Sequence, residues 1–315
     1  MNLEQQNAKA SRGVVTMAYG KQRYLDMAKA LARSLKLHAP LVPRAILTDS
    51  TDKELGELFT CVIPHRPEFG ANVEPKFYLD QFSPFSETLF IDSDCLVLSS
   101  LDSFWEAFSG QYFGVPGWRV LHRGDTDPYV DVDYVLERFK LDELPKFNGG
   151  TYYFRRCEET TRFFDTARKF FSQASSLRIA NFRGAGAPDE PIIALVMALQ
   201  GLSLTSMGDG GMLTPIQSTG PLRLDAIRGT CSFTKEGRKV SPEIIHFAGE
   251  YASCFAYTRE CARLKAHFDG GRLPKMPLLK SYFRSLPWQF SRTGRTLGKK
   301  IVEFAAPNRI RGYAK

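Results

Sequence analysis

Long apolar runs are missing from this sequence. No stretch reaches the roughly 18 residues that a bilayer-spanning helix needs, and the opening residues, MNLEQQNAKASRG, lack the apolar core of an export signal. Neither membrane spanning nor secretion is therefore expected. Cysteine is sparse and scattered. The six residues Cys61, Cys95, Cys157, Cys231, Cys254 and Cys261 include no CxxC pair, which removes the usual zinc spacing. Without an export signal they read as free thiols in a reducing, cytoplasmic compartment.

Acidic residues are almost absent from one segment. Residues 272–315 hold eleven Lys or Arg and a single acid, Glu303, for a net charge of +10, so the other 271 of the 315 residues carry −2 of the total +8. The basicity belongs to a tail, and a nearly neutral body is not expected to bind nucleic acid. Composition in the body is ordinary: 43% hydrophobic and 24% charged residues fit a globular chain with a substantial core. We read residues 1–268 as one catalytic domain and 269–315 as a basic, aromatic extension.

Apolar periodicity in the first half alternates between two kinds. Val14–Ala18, Ala45-Ile46-Leu47 and Cys61-Val62-Ile63 are short strand-like runs. Between the first two, Tyr24, Leu25, Ala28, Leu31, Ala32 and Leu35 recur at three- and four-residue steps, the stripe of an amphipathic helix. Residues 88–98, TLFIDSDCLVL, read as one buried strand with a polar interruption. Further on, Phe147–Phe154 and Glu243–Phe247 read as strands, and Thr160–Ser175 and Pro191–Leu199 as helices. The pattern predicts an α/β fold with a mostly parallel sheet and flanking helices.

Asp92 and Asp94 are the first residues that call for chemistry. Burying unpaired charge costs several kcal/mol, so two carboxylates inside an apolar run need a partner. At a strand end, i and i+2 side chains point the same way and converge on one hard cation, Mg²⁺ or Mn²⁺. A turn with solvated aspartates is the plainer alternative. His246, in Ile244-Ile245-His246-Phe247-Ala248-Gly249, offers an imidazole that would favour Mn²⁺ over Mg²⁺. The same residue also reads as a core histidine. Asn148 suits a hydroxylated ring, or equally the turn before Gly149-Gly150.

In this order the motifs resemble the GT-A glycosyltransferases of the family 8 type, which include glycogenin and lipopolysaccharide galactosyltransferases. The resemblance runs from residue 13 to about residue 250. Val15-Thr16-Met17-Ala18-Tyr19 resembles the segment that cradles the nucleotide, and residues 91–105, IDSDCLVLSSLDSFW, resemble the DxD segment and its continuation. Phe147-Asn148-Gly149-Gly150 is similar to a Phe-Asn-Ser-Gly motif, Asp189-Glu190 stands where the family has Asp-Gln, and His246-Phe247-Ala248-Gly249 matches His-Phe-x-Gly.

What the resemblance implies is a transferase working from a nucleotide-sugar donor, UDP-sugar first, to a glycan or glycolipid acceptor with retention. It implies metal ligands Asp92, Asp94 and His246. Donor contacts would come from Thr16, Ala18, Tyr19, Lys76, Asp92, Ser93, Asn148, Gly149, Gly150 and Gly249. Asp189, Glu190 and Asn148 would be catalytic. Three departures matter: Glu190 replaces Gln and Gly149 replaces Ser near the sugar, and the family lysine that meets the diphosphate is Ala252 here, so either another cation such as Lys76, Arg183 or Arg259 serves or activity is reduced. Ala252 is also the best support for a catalytically silent GT-A module that binds nucleotide sugar or scaffolds a glycan-assembly complex. A sugar-phosphate nucleotidyltransferase would need a GxGxR-type loop where Met17-Ala18-Tyr19-Gly20 stands. The tail mixes its cations with Tyr282, Phe283, Trp288 and Phe290, which suits an anionic bilayer surface at the inner face of the membrane.

Overall fold

The structure is a computed structural model that describes residues 12–181 and 186–271, with the short pieces 278–279 and 282–283. Its first half alternates as expected. Strand β1 (Arg12–Met17) leads to helix α1 (Gln22–His38), then β2 (Arg44–Thr48), α2 (Leu55–Leu58) and β3 (Cys61–Pro64). Next come α3 (Leu79–Phe82), β4 (Glu87–Ile91), β5 (Cys95–Val97), α4 (Asp102–Ala107), β6 (Phe113–Gly114) and β7 (Arg119–Leu121). The chain continues with α5 (Val132–Phe139), β8 (Leu144–Lys146), β9 (Thr151–Arg155), α6 (Glu158–Ser172) and α7 (Asp189–Leu199). Strands β10 (Met212–Leu213), β11 (Thr219–Asp225), β12 (Thr230–Lys235), β13 (Arg238–Val240) and β14 (Ile244–His246) precede α8 (Phe255–Asp269).

A six-stranded sheet in the order β3-β2-β1-β4-β9-β6 forms the centre. The first four strands pair in parallel and β9 and β6 join antiparallel. Strands β2 and β4 are buried along nearly their whole length, which is why they read as continuous apolar runs and not as alternating ones. Helix α1 lays Leu25, Ala28, Leu31, Ala32 and Leu35 onto the sheet, the stripe visible in its sequence. On β9, successive side chains go to opposite faces. Tyr153 stacks on Phe108 on one side, while Tyr152 packs beside Phe90 and Phe113 on the other.

One expectation changes. Residues 88–98 are two strands in different sheets, because the chain turns at Asp92–Asp94: β4 stays in the large sheet and β5 joins β14 and β10 in a small one. The remaining strands form a β11-β12-β13 sheet and the β7-β8 pair. None of the six cysteines forms a disulfide. Among the described residues no helix is long and apolar enough to cross a membrane.

The core beside α6 is aromatic. Phe113 and Phe163 stack with centroids 3.9 Å apart, and both are at most 1% exposed. Phe163→Ala should cost about 3–5 kcal/mol through the cavity it leaves, read as a lowered urea midpoint. A change under 1 kcal/mol would show that this cluster is not part of the packed core.

Candidate active site

Open α/β sheets bind ligands beyond the carboxyl ends of their parallel strands. Here β1, β2, β3 and β4 end together and hand over to Ala18-Tyr19, Asp49, His65 and Asp92. Tyr19 stacks on His65 with ring centroids 4.2 Å apart, and its hydroxyl donates to the Asn72 carbonyl at 2.5 Å. The Gly20 N–H donates to Asp49 at 3.0 Å. Thr16 and Ala18 are 1% and 2% exposed, so their side chains lie in the core, and the Thr16 hydroxyl finds no hydrogen-bond partner among the described residues.

Asp92, Ser93, Asp94 and Cys95 form a tight turn closed by the Cys95 N–H on the Asp92 carbonyl at 3.0 Å. This turn, and not the pleat of a strand, aims the two carboxylates. It is pinned from both sides: the Asp92 N–H donates to the Gly150 carbonyl at 2.9 Å and the Phe247 N–H to the Asp94 carbonyl at 3.0 Å. His246, at the end of β14, pairs with Cys95 across the small sheet and is buried.

The imidazole faces both carboxylates. Its Nε2 lies 3.0 Å from Asp94 Oδ1 and 3.8 Å from Asp92 Oδ2. Its Nδ1 meets Asn148 Oδ1, which also accepts the Gly150 N–H at 3.1 Å. An oxygen that accepts one N–H accepts the other, so Nδ1 carries hydrogen and Nε2 is left facing Asp94. A bare lone pair there would repel the carboxylate. A proton or a cation must lie between them. Burial disfavours the imidazolium, but Asp94 and Asp92 outweigh it and the His246 pKa is raised. Burial pushes the Asp94 carboxyl up, yet His246 pulls it below its ordinary value, whereas for Asp92 burial wins and the pKa is raised.

The same geometry fits a divalent ion. Bonds of about 2.1–2.2 Å put neighbouring ligand atoms about 3 Å apart, close to the His246–Asp94 separation. Cys95 Sγ also lies within 4.8 Å of the Asp94 and His246 donor atoms. Burial raises its thiol pKa well above normal and the thiol donates to the Gly150 carbonyl at 3.9 Å, so it is a neutral neighbour.

Behind the turn sits Lys76, 6% exposed, on the 3₁₀ turn Glu74–Tyr78. Its three N–H groups go to Asp92 Oδ2 at 2.8 Å, the Gly149 carbonyl at 3.0 Å and Asp189 Oδ2 at 2.9 Å. Burial opposes its charge, but Asp189 and Asp92 overcome this and its pKa is raised. Asp189 and Glu190 open α7, where acids complement the helix dipole. Asp189 also accepts the Tyr152 hydroxyl at 2.5 Å, and Glu190 accepts the Gly149 N–H at 2.9 Å. Burial first, and Asp189 second, raise the Glu190 pKa. Lys146 bridges Asp127 at 2.7 Å and Glu190 at 3.7 Å.

Crowding explains the two glycines. A Cβ on Gly149 would lie 2.6 Å from the Tyr152 hydroxyl and 2.8 Å from Asp189 Oδ2, and one on Gly150 would collide with the His246 ring. Gly249 adopts φ 63°, a left-handed turn leading out of the His246 strand. The structure thus gathers Lys76, Asp92, Asp94, Asn148, Gly149, Gly150, Asp189, Glu190 and His246, with Ser93 half-buried in the turn and Tyr19 at the neighbouring strand ends. Asp49, His65, Asp127, Lys146 and Tyr152 were not singled out in the sequence. Tyr152 alone carried a signal, a hydroxyl inside a buried strand that needs a partner.

A cleft of about 580 Å³ lies elsewhere, between Leu98-Ser99, Pro242-Glu243 and the β11-β12-β13 sheet. It sits at the far end of β5 and β14 from Asp94 and His246, and its carboxylates are already held: Asp225 pairs with Arg263 at 3.0 Å, and Glu243 accepts the Ser103 hydroxyl. Buried charge concentrates at the first site, which makes it the candidate for chemistry.

No family model matches the chain, and no curated protein does. Solved structures do. An active-site mutant of LgtC superposes with TM-score 0.54 at 14% identity over 81% of this chain and 95% of that one. Galactosyltransferase LgtC in complex with donor and acceptor sugar analogs gives 0.51 at 14% identity over 80% and 95%. The bifunctional glycosyltransferase WbbM gives 0.52 at 14% identity over 87% of this chain and 52% of that one. The chain thus spans about half of WbbM, and 46% of the more distant glycosyltransferase GlyE from Streptococcus pneumoniae TIGR4. The fold is that of the GT-A glycosyltransferases.

Removing the central ammonium tests the framework. Lys76→Met leaves Asp92 and Asp189 facing each other unneutralised, and should cost about 3–5 kcal/mol of stability. The double variant Lys76→Met/Asp189→Asn should recover part of that loss in denaturant unfolding. An unchanged midpoint in the single variant would show that the three segments hold together without Lys76.

Proposed function

We propose that this protein is a metal-dependent glycosyltransferase. It moves a sugar from a nucleotide-sugar donor, UDP-sugar being the first candidate, to a glycan or glycolipid acceptor, with retention of anomeric configuration. The observation that carries this reading is the His246 imidazole facing Asp94 at 3.0 Å and Asp92 at 3.8 Å beside the carboxyl ends of a GT-A sheet.

Charge balance supports the need for a cation. Five carboxylates (Asp92, Asp94, Asp127, Asp189, Glu190) stand with two lysines (Lys76, Lys146) and His246 across the contacts described above. With His246 neutral, that surplus would repel a diphosphate. Lewis-acid stabilisation of the departing diphosphate is what Mn²⁺, or Mg²⁺, held by Asp92, Asp94 and His246 supplies when bound. The imidazole with two carboxylates favours Mn²⁺.

In the reaction, the bond from the anomeric carbon to the phosphate oxygen breaks and its electron pair stays on the nucleoside diphosphate. The acceptor hydroxyl oxygen forms the new bond and releases its proton. Tyr19 and the backbone at Thr16 and Ala18 would meet the nucleotide, since those two side chains face the core. Asn148 would hold a sugar hydroxyl through its amide nitrogen while its oxygen orients His246. Asp189 would position Lys76 and the turn, and Glu190, protonated more readily than an ordinary carboxyl, would hydrogen-bond the transferred sugar or the acceptor. Chelation should abolish transfer and Mn²⁺ restore it. Asp94→Asn should remove most activity while keeping the fold, and His246→Ala should weaken Mn²⁺ binding about 10–100-fold. Full activity in excess EDTA would sink the metal assignment. The deciding assay is Mn²⁺-dependent hydrolysis across a panel of nucleotide sugars, and turnover of none would leave the silent-module reading.

The basic extension is read as a contact with anionic membrane from the cytoplasmic side. Apart from 269–271, where Asp269 ends α8, and the pieces 278–279 and 282–283, it lies outside the described residues; Leu279 and Phe283 are 49% and 58% exposed, and Tyr282 sits edge-on to Phe255 of α8 at 5.2 Å. Deleting residues 284–315, which leaves that contact intact, should abolish binding to anionic vesicles and spare donor hydrolysis. Salt should weaken binding of the full chain steeply, since exposed charges are screened over about 8–10 Å. Loss of donor hydrolysis on truncation would instead assign the tail to the catalytic body.

A further inference from the structure

If the protein is the transferase proposed above, its diphosphate needs a cation to replace the lysine that Ala252 displaces. Ala252 itself is 8% exposed in the 3₁₀ turn Gly249–Ser253. Two of the substitutes named from sequence are committed elsewhere. Lys76 spends all three N–H groups on Asp92, the Gly149 carbonyl and Asp189. Arg259 on α8 bonds Glu260 at 2.7 Å and the Leu224 carbonyl at 2.7 Å. Arg183 lies outside the described residues.

Lys235, at the end of β12, is different. Its Nζ donates to the carbonyls of Thr214 at 2.9 Å and Ile216 at 3.1 Å, and no carboxylate lies within ion-pair distance among the described residues. Two of its three N–H groups are therefore used, both on neutral acceptors, and one remains. Among the described residues the neighbouring Glu236 is the one carboxylate that favours its charge, from beyond ion-pair distance, and burial outweighs it, so the Lys235 pKa is lowered. An arriving anion would relieve the cost of that burial.

Position follows from strand direction. Strand β12 starts after the Gly229 turn, which packs so closely on the Leu98 carbonyl that no Cβ fits, and it runs away from there to Lys235. Strands β5 and β14 share the same two ends, with Leu98 and Glu243 at one and Asp94 and His246 at the other. Leu213 of β10 pairs in parallel with Ile245. Strand β10 ends at Leu213, so Thr214 is the residue by which the chain leaves the small sheet at the end where β14 reaches His246. One of the two carbonyls that hold Lys235 thus follows directly on the Asp94–His246 end of the small sheet. We infer that Lys235 directs its remaining N–H at the diphosphate of the nucleotide-sugar donor, and that it is the cation this chain uses in place of the residue at 252.

The test separates charge recognition from loop support. Wild-type protein with Mn²⁺ is titrated calorimetrically with UDP, GDP, CDP and ADP, and the tightest diphosphate and its phosphate-free nucleoside are then titrated into the variants. Lys235→Met should weaken diphosphate binding about tenfold or more, the effect of losing one charged hydrogen bond, with nucleoside affinity unchanged. Lys235→Arg should stay within a few-fold of wild type, which guards against a Met variant that merely loosens the 214–216 turn. Equal diphosphate affinity in Lys235→Met, or parallel loss of nucleoside and diphosphate binding in both variants, overturns the assignment and leaves the transferase reading standing. Failure of the wild type to bind any of the four diphosphates overturns the transferase reading and Lys235 with it.

Discussion

A buried ammonium organises this molecule. Lys76 is out of water, so each of its three hydrogens must find an acceptor, and the three acceptors come from parts of the chain far apart in sequence. Asp92 belongs to the turn that ends β4, Gly149 to the turn that starts β9, and Asp189 to the first turn of α7. Satisfying one lysine therefore fixes the relative positions of a strand end, a glycine turn and a helix start. Removing any partner would strand charge in the interior, so the arrangement is held by the cost of its alternatives.

The second layer of the site hangs on the first. With the Asp92–Asp94 turn fixed by Lys76 and by backbone bonds to Gly150 and Phe247, His246 is clamped between Asn148 on one ring nitrogen and Asp94 on the other. This is a site short of positive charge in its unliganded form. On the proposed reading a diphosphate enters with added charge, from a divalent ion at the carboxylates and from Lys235, a half-buried lysine whose two hydrogen bonds go to carbonyls.

Most of the fold could be read from apolar periodicity. The strands of the parallel half and the α1 stripe are visible because burial on both faces of a sheet, or on one face of a helix, leaves repeating apolar positions. The break at Asp92–Asp94 was harder to place. Residues 88–98 are apolar on both sides of the turn because both resulting strands are buried, and periodicity does not say that they enter different sheets. Among site residues, Asp92, Asp94 and His246 stood out because polar residues interrupt apolar runs there, whereas Lys76, Asp189, Glu190 and the glycines were marked by the resemblance of their motifs. Lys146, Asp127 and His65 carried no such mark: they sit in polar or loop segments, and only the tertiary structure brings them to Glu190 and Tyr19. Lys235 was invisible for a related reason. A lysine at the end of an exposed hairpin strand reads as surface, and its two carbonyl partners come from a loop some twenty residues earlier.

The central claim is that Asp94 and His246 are two ligands of one ion, with Asp92 beside them. The most direct test is a crystal of the protein soaked with Mn²⁺ and a nucleoside diphosphate, with diffraction recorded at the manganese absorption edge. The account predicts one strong anomalous peak about 2.2 Å from a carboxylate oxygen of Asp94 and from His246 Nε2, with phosphate density on its open side. A peak confined to the cleft at Leu98 and Glu243, or His246 Nε2 still hydrogen-bonded to Asp94 with no metal between them, would contradict it.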